Sequence, residues 1–224
     1  MPTIAPVIVF DVNETLSDMS VLGSRFADIG APDHLAKLWF ATLLRDGFAL
    51  TAAGGQERFA VLGEQSLRTV LAGVDIDRDI DDAVEHVMAG FGELDVHPDV
   101  VDGVRRLRAG GACLITLSNG GTAVAEKLLT GAGIRDEFEA LLSVEDAGTW
   151  KPAPDSYRYA ATTCGVELGD MMLVAVHPWD VNGATAAGMR GVYIDRTGAG
   201  YPGYFTTPAV TATSLTDLAD TFGV

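Results

Sequence analysis

"VIVFDVNETLSD", residues 7–18, decides the fold. Four apolar residues, Val7 to Phe10, run straight into Asp11, and Asn13, Glu14 and Thr15 follow past Val12. A β-branched apolar run this short reads as a buried strand, not a helix. Three more such runs lie downstream: "ACLITL" (112–117), "MMLVAV" (171–176) and "GVYI" (191–194), with "ALLSV" (140–144) a weaker fifth. Helix-like segments separate them. "PDVVDGVRRLRAGG" (98–111) has Pro98 near its start and Gly110 near its end, and "TAVAEKLLTGAG" (122–133) has Thr122 as its expected N-cap. Strands alternating with helices predict an α/β fold with a doubly wound parallel sheet.

The first strand stands apart from this block by about eighty residues of helical pattern. "APDHLAKLWFATLLRD" (31–46), "GQERFAVLGEQSLRTVLAG" (55–73) and "DRDIDDAVEHVMAGF" (77–91) each carry apolar residues at helical spacing. The expected organisation is a core domain of residues 1–16 and 97–224 with a helical cap, 17–96, inserted after strand one. The tail at 197–214 is turn-rich and reads as a surface loop before a short final helix.

Composition bounds the function. Of 224 residues, 48% are apolar and 21% charged, enough for a real core and against wholesale disorder. The net charge of −16 argues against nucleic acid, whose phosphates need a cationic face. A small anionic substrate stays open, because a local cation dominates a site once distant charges are screened beyond about 8–10 Å. No apolar run approaches the roughly 18 residues that span a bilayer. "MPTIAPVIVF" lacks a basic leader, so a cytoplasmic chain without membrane contact is expected. Two cysteines, Cys113 and Cys164, fit reduced thiols in that compartment.

Ligands in open parallel sheets bind at the carboxyl ends of the strands. Here those ends carry Asp11, then Ser118 and Asn119 in "LITLSNGG", then Asp180 in "AVHPWD", while Lys151 lies in the intervening "TWKPAPDSY". Each has an ordinary structural use: Asp after a strand caps a turn, "SNGG" is turn chemistry, and a loop lysine is solvated. Convergence of two aspartates, a lysine and a Ser-Asn pair on one spot is the other reading.

Asp11 with Thr15, Ser118-Asn119, Lys151-Pro152 and Asp180, in this order, resemble the four motifs of the haloacid dehalogenase superfamily. Lys151, Tyr157 and Trp179-Asp180 make the type II (S)-2-haloacid dehalogenases the most similar branch. The resemblance implies a Rossmann-like core with a helical cap and a hydrolytic dehalogenase. Asp11 would be the nucleophile, Lys151 the cation beside it, and Asp180 the residue that orients or deprotonates water. Ser118 and Asn119 would meet the substrate carboxylate, and Thr15 would bond Asp11 and shape the turn. The expected partners are a short 2-haloalkanoate and halide, with a homodimer common in the branch. No metal or cofactor is expected.

Asn13 separates the reaction classes. Phosphatases of the superfamily carry a second aspartate there, an acid–base group of the kind worth about 10²–10⁴-fold. An amide cannot transfer that proton, and a halide leaves without one. The branch usually has tyrosine at this position, so Asn13 bears on substrate range. Two further departures stand out. Phe40 occupies the place of the usual cap arginine, which leaves Arg45 as an alternative cation or a helix-surface ion pair. "HPWD" (177–180) stands where the branch usually has a small residue and an asparagine before the tryptophan, and His177 is expected to bond the pocket or assist the water. Trp39, Phe40, Trp150, Tyr157 and Trp179 could wall a short haloacid, core packing being the alternative. His177 and Trp179 offer N–H groups to a halide, even fluoride. The rival expectations are a Mg²⁺-dependent phosphatase of the same fold and a silent small-anion binding protein.

Overall fold

The computed structural model describes residues 6–224. Residues 1–5, where the leader-free N-terminus was read, lie outside the described residues. The chain divides into two compact units: the chain up to Ser17 with Asp95–Val224, and Asp18–Leu94. The second unit is helical: α1 (Leu22–Ala27), α2 (Leu35–Ala52), α3 (Phe59–Leu71) and α4 (Ile80–Phe91). Its centre is Trp39, fully buried, edge-on to Phe40 and Phe91, with its indole N–H donating to the Gly63 carbonyl at 3.0 Å. An indole finds a buried acceptor because an unpaired N–H there is costly. Trp39 is therefore a core residue of the helical unit.

The first unit is built on six strands: β1 (Val7–Phe10), β2 (Cys113–Ser118), β3 (Phe138–Ser143), β4 (Met171–Ala175), β5 (Arg190–Ile194) and β6 (Val210–Ala212). They run parallel in the order β3-β2-β1-β4-β5-β6. A parallel sheet is covered on both faces, so its strands read as continuous apolar runs. The helices are α5 (Val100–Ala109), α6 (Thr122–Gly131), the short α7 (Val144–Ala147), α8 (Pro154–Cys164), α9 (Pro178–Ala187) and α10 (Leu215–Phe222). Ile8, Phe10, Leu114 and Val174 of the strands pack with Val104 and Leu107 of α5, Leu129 of α6 and Leu218 of α10. The helix α9 packs on β4 and β5.

Three local expectations need correction. The tail contains β6, whose three residues are too short to show a strand pattern; Val210 and Ala212 are buried and pair with β5. The weak fifth run begins earlier, at Phe138, and Val144 already belongs to α7, capped by the Ser143 hydroxyl. Gly121, not Thr122, is the N-cap of α6. No helix among the described residues is long and apolar enough to cross a membrane.

Candidate active site

β1 lies between β2 and β4, and the chain leaves to opposite sides of it, so its carboxyl end is the switch point where such sheets bind ligands. The β1/β4 ladder continues one residue past the strand, through the Asp11 N–H to the Val174 carbonyl at 3.1 Å. That bond fixes the Asp11 backbone at the sheet rim. Its carboxylate is 4% exposed and spans two donors: Lys151 Nζ reaches Oδ1 at 2.8 Å and the Thr15 hydroxyl reaches Oδ2 at 2.6 Å.

Lys151 is wholly buried, and its ammonium also donates to Asp180 Oδ2 at 2.7 Å. One cation thus bridges two carboxylates away from water, where an unpaired charge would be expensive. Asp180 is equally buried, and its Oδ1 accepts from the Tyr157 hydroxyl at 2.6 Å. It is the third residue of α9, after Pro178 at the first position, so it is not the helix cap. The approach of α9 requires glycine at 183, where a Cβ would lie 2.6 Å from Pro152 and 2.7 Å from the Tyr157 hydroxyl.

The two carboxylates are pushed apart in acidity. Burial drives the Asp11 carboxyl up, but Lys151, His177 and the Lys151 and Thr15 hydrogen bonds together hold it below the ordinary range. Burial raises Asp180, and nearby Asp11 adds to this, outweighing Lys151 and Tyr157. Burial lowers the Lys151 ammonium, yet Asp11 and Asp180 bring it above its usual value, so it stays charged. Burial, then Asp180, raises the Tyr157 phenol well above its usual value, leaving it a neutral donor.

Asn119 bonds the Lys151 backbone with both ends of its amide. Its Oδ1 accepts from the Lys151 N–H at 2.9 Å and its amide donates to the Lys151 carbonyl at 3.3 Å. The side chain thus braces the lysine backbone. The Ser118 hydroxyl oxygen accepts from the Gly120 N–H at 2.9 Å, closing the turn while its own hydrogen remains a donor. Tyr157, expected against substrate, holds Asp180.

His177 stacks on Trp179 at 5.1 Å and donates through Nε2 to the Asn13 carbonyl at 3.1 Å. The same nitrogen is 3.6 Å from Asp11 Oδ2 and 3.7 Å from Glu14 Oε2. A nitrogen that donates to a carbonyl carries a proton, and at 3.6 Å the Asp11 carboxylate is a close neighbour, beyond hydrogen-bond distance. Glu14 was not among the expected site residues. It is the only non-glycine described residue with positive φ, at +61°. Left-handed backbone is unusual for glutamate, and nothing in the residue type announces it.

Phe40 is buried within the helical unit against Trp39. The Arg45 side chain is 67% exposed and its Nε pairs with neighbouring Asp46 at 2.9 Å. The helix-surface alternative is thus the one realised. Among the described residues, no group of three or more His, Cys, Asp or Glu side chains could hold a metal. The cation between Asp11 and Asp180 is Lys151's own ammonium.

A family model described as haloacid dehalogenase-like hydrolase matches residues 6–188. Haloacetate dehalogenase H-2 of Moraxella sp. (strain B) is 35% identical over 114 residues, 51% of each chain. (S)-2-haloacid dehalogenase 4A of Burkholderia cepacia is 28% identical over 192 residues, 85% of this chain and 83% of its own. The crystal structure of the defluorinating L-2-haloacid dehalogenase Rha0230 superposes with a TM-score of 0.83 at 25% identity, covering 100% of both chains. The motif residues Asp11, Ser118, Lys151 and Asp180 all lie inside the segment that the family model matches. The chain belongs to the haloacid dehalogenase-like hydrolases.

Proposed function

We propose that the protein is a hydrolytic dehalogenase of short 2-haloalkanoates, releasing halide and a 2-hydroxy acid through an ester on Asp11. The observation that carries this reading is the charge-fixed carboxylate of Asp11, held by Lys151 and Thr15, with an amide residue at position 13. A carboxylate that needs no deprotonation is a ready nucleophile for carbon. An oxygen of Asp11 attacks the carbon next to the substrate carboxylate, and the carbon–halogen bond breaks with its electron pair leaving on the halide. The new bond is an alkyl ester.

Water then attacks the carboxyl carbon of Asp11 and gives up a proton. The bond between Asp11 Cγ and the ester oxygen breaks, and the 2-hydroxy acid departs with that oxygen, which takes up a proton. Asp180 suits the proton-accepting part, since its surroundings raise its basicity while Asp11 is kept acidic. Lys151 neutralises one carboxylate charge and Tyr157 orients Asp180. Ser118 retains a donor for the substrate carboxylate. All of these steps use side chains, without a metal or organic cofactor.

Isotope labelling tests the route. In one turnover in H₂¹⁸O with excess enzyme, the label enters Asp11 and the product carries none. Label in the product on that first turnover contradicts the ester.

A second reading extends the halide range to fluoride. The extension is demanding, because fluoride needs strong hydrogen bonds on leaving. Likeness to a defluorinating enzyme supports it. Ion chromatography of reactions with chloroacetate and fluoroacetate tests it, and chloride release without fluoride release ends the extension.

A further inference from the structure

The turn that follows Asp11 is held by its carbonyls, one after another. Val12 O accepts from Leu16 N–H at 2.9 Å and Ser17 N–H at 3.1 Å, which closes the turn on itself. Asn13 O accepts from His177. Glu14 O accepts from His97 Nε2 at 3.0 Å, Thr15 O from Arg196 Nη2 at 2.9 Å, and Leu16 O from the His97 N–H at 2.9 Å. Three successive carbonyls are thus taken by two residues distant in sequence. In the middle sits Glu14 at φ +61°, a backbone state that persists only where its surroundings impose it.

The same turn sets the nucleophile. Thr15 Oγ1 donates to Asp11 Oδ2 at 2.6 Å while accepting from the Val176 N–H at 3.1 Å, so displacement of Thr15 misaims the carboxylate. Arg196 is itself anchored. Its Nη1 pairs with Asp99 Oδ1 at 2.7 Å, and Asp99 Oδ2 accepts from the Leu215 N–H at 2.7 Å, at the start of α10. His97 is anchored beside the bridge that pairs Ser17 with Val96.

We propose that His97 and Arg196 are positioning residues, a two-part clamp that holds the turn 13–16 in its strained form and thereby aims Asp11. The kinetic part of this rests on Asp11 being the nucleophile; the conformational part does not. Arginine suits the task because its fork meets Asp99 and the Thr15 carbonyl together, which a single ammonium does poorly.

The test uses the full chain with His97→Leu and Arg196→Lys. Hydrogen–deuterium exchange of the 12–17 amides is expected to quicken about tenfold or more in each variant, with β2 and β3 unchanged. Halide release per active site, counted by single-turnover burst, is expected to fall about 10–100-fold in kcat, since small misplacements of reacting groups cost on that order. KM stays within about twofold. Adding Glu14→Gly to His97→Leu restores most of kcat, because glycine takes the left-handed state without strain. Unchanged exchange in the turn overturns the clamp, as does kcat per active site equal to the parent's, or a double variant no better than His97→Leu. If the parent releases no halide from any haloacid, the proposed function falls, and exchange alone decides the clamp.

Discussion

Lys151 and Arg45 are both cations that the sequence offers to a site, and each pairs with aspartate at nearly the same distance: 2.7–2.8 Å for Lys151 and 2.9 Å for Arg45. What separates them is the medium. Lys151 is 0% exposed and bridges two aspartates from distant parts of the chain, whereas Arg45 is 67% exposed and holds its own neighbour. In water such a pair is worth about 0–1 kcal/mol, while removing one partner of a buried pair costs about 3–5 kcal/mol. Pair distance therefore says little here; burial and sequence separation mark the lysine of the candidate site.

The contrast breaks first at Asp11. Asp11→Asn removes the attacking charge and is expected to reduce halide release by at least about 10⁴-fold, measured by ion chromatography. A variant that kept a tenth of the parent rate would show the buried cluster to be merely structural. Lys151→Met should lose about 10²–10³-fold in kcat and lower the unfolding midpoint, because two carboxylates then face each other without a cation.

The split in acidity sharpens the comparison. Asp11 is held below the ordinary carboxylate value near 3.9 and Asp180 above it. The acid limb of ester formation should therefore lie below about pH 4, while that of ester hydrolysis follows Asp180, set by burial against Lys151 once Asp11 is an uncharged ester; single-turnover quench follows both. Coincident limbs would assign both steps to one group. For stability the signs oppose: the Asp11 contribution is complete above about pH 4 and lost as pH falls through its lower folded value, while Asp180 is penalised once ionised. Tyr157→Phe removes one bond to Asp180 and is expected to slow hydrolysis about tenfold, since a bond to a charged group contributes about 1.5–3 kcal/mol. The smallest effect is expected at Arg45→Ala, whose urea unfolding midpoint should match the parent's, since an exposed ion pair contributes little.

Much of the α/β unit was legible because buried parallel strands are continuous apolar runs with abrupt polar ends. Asp11 and Asp180 were readable because they follow such runs, and Lys151 because its Pro-rich loop completes the motif order of the resembled family. The rest depends on partners far along the chain. The bonding of Asn119 was not legible, because residue type offers an amide but not its partner, which is the Lys151 backbone. Glu14, His97 and Arg196 left no mark, since a backbone carbonyl as acceptor has no signature in the sequence. β6 was hidden because three residues form no period.

The central position of β1 carries a consequence for how the molecule is made. Its register partners are Cys113–Thr116 on one side and Met171–Val174 on the other. The strand synthesised first thus waits for more than a hundred and sixty later residues before both its edges are occupied. Pairings of such long range are slow to form. A ribosome-bound chain can assemble its helices early, yet Asp11 can meet its lysine only after 151 of the 224 residues have been made.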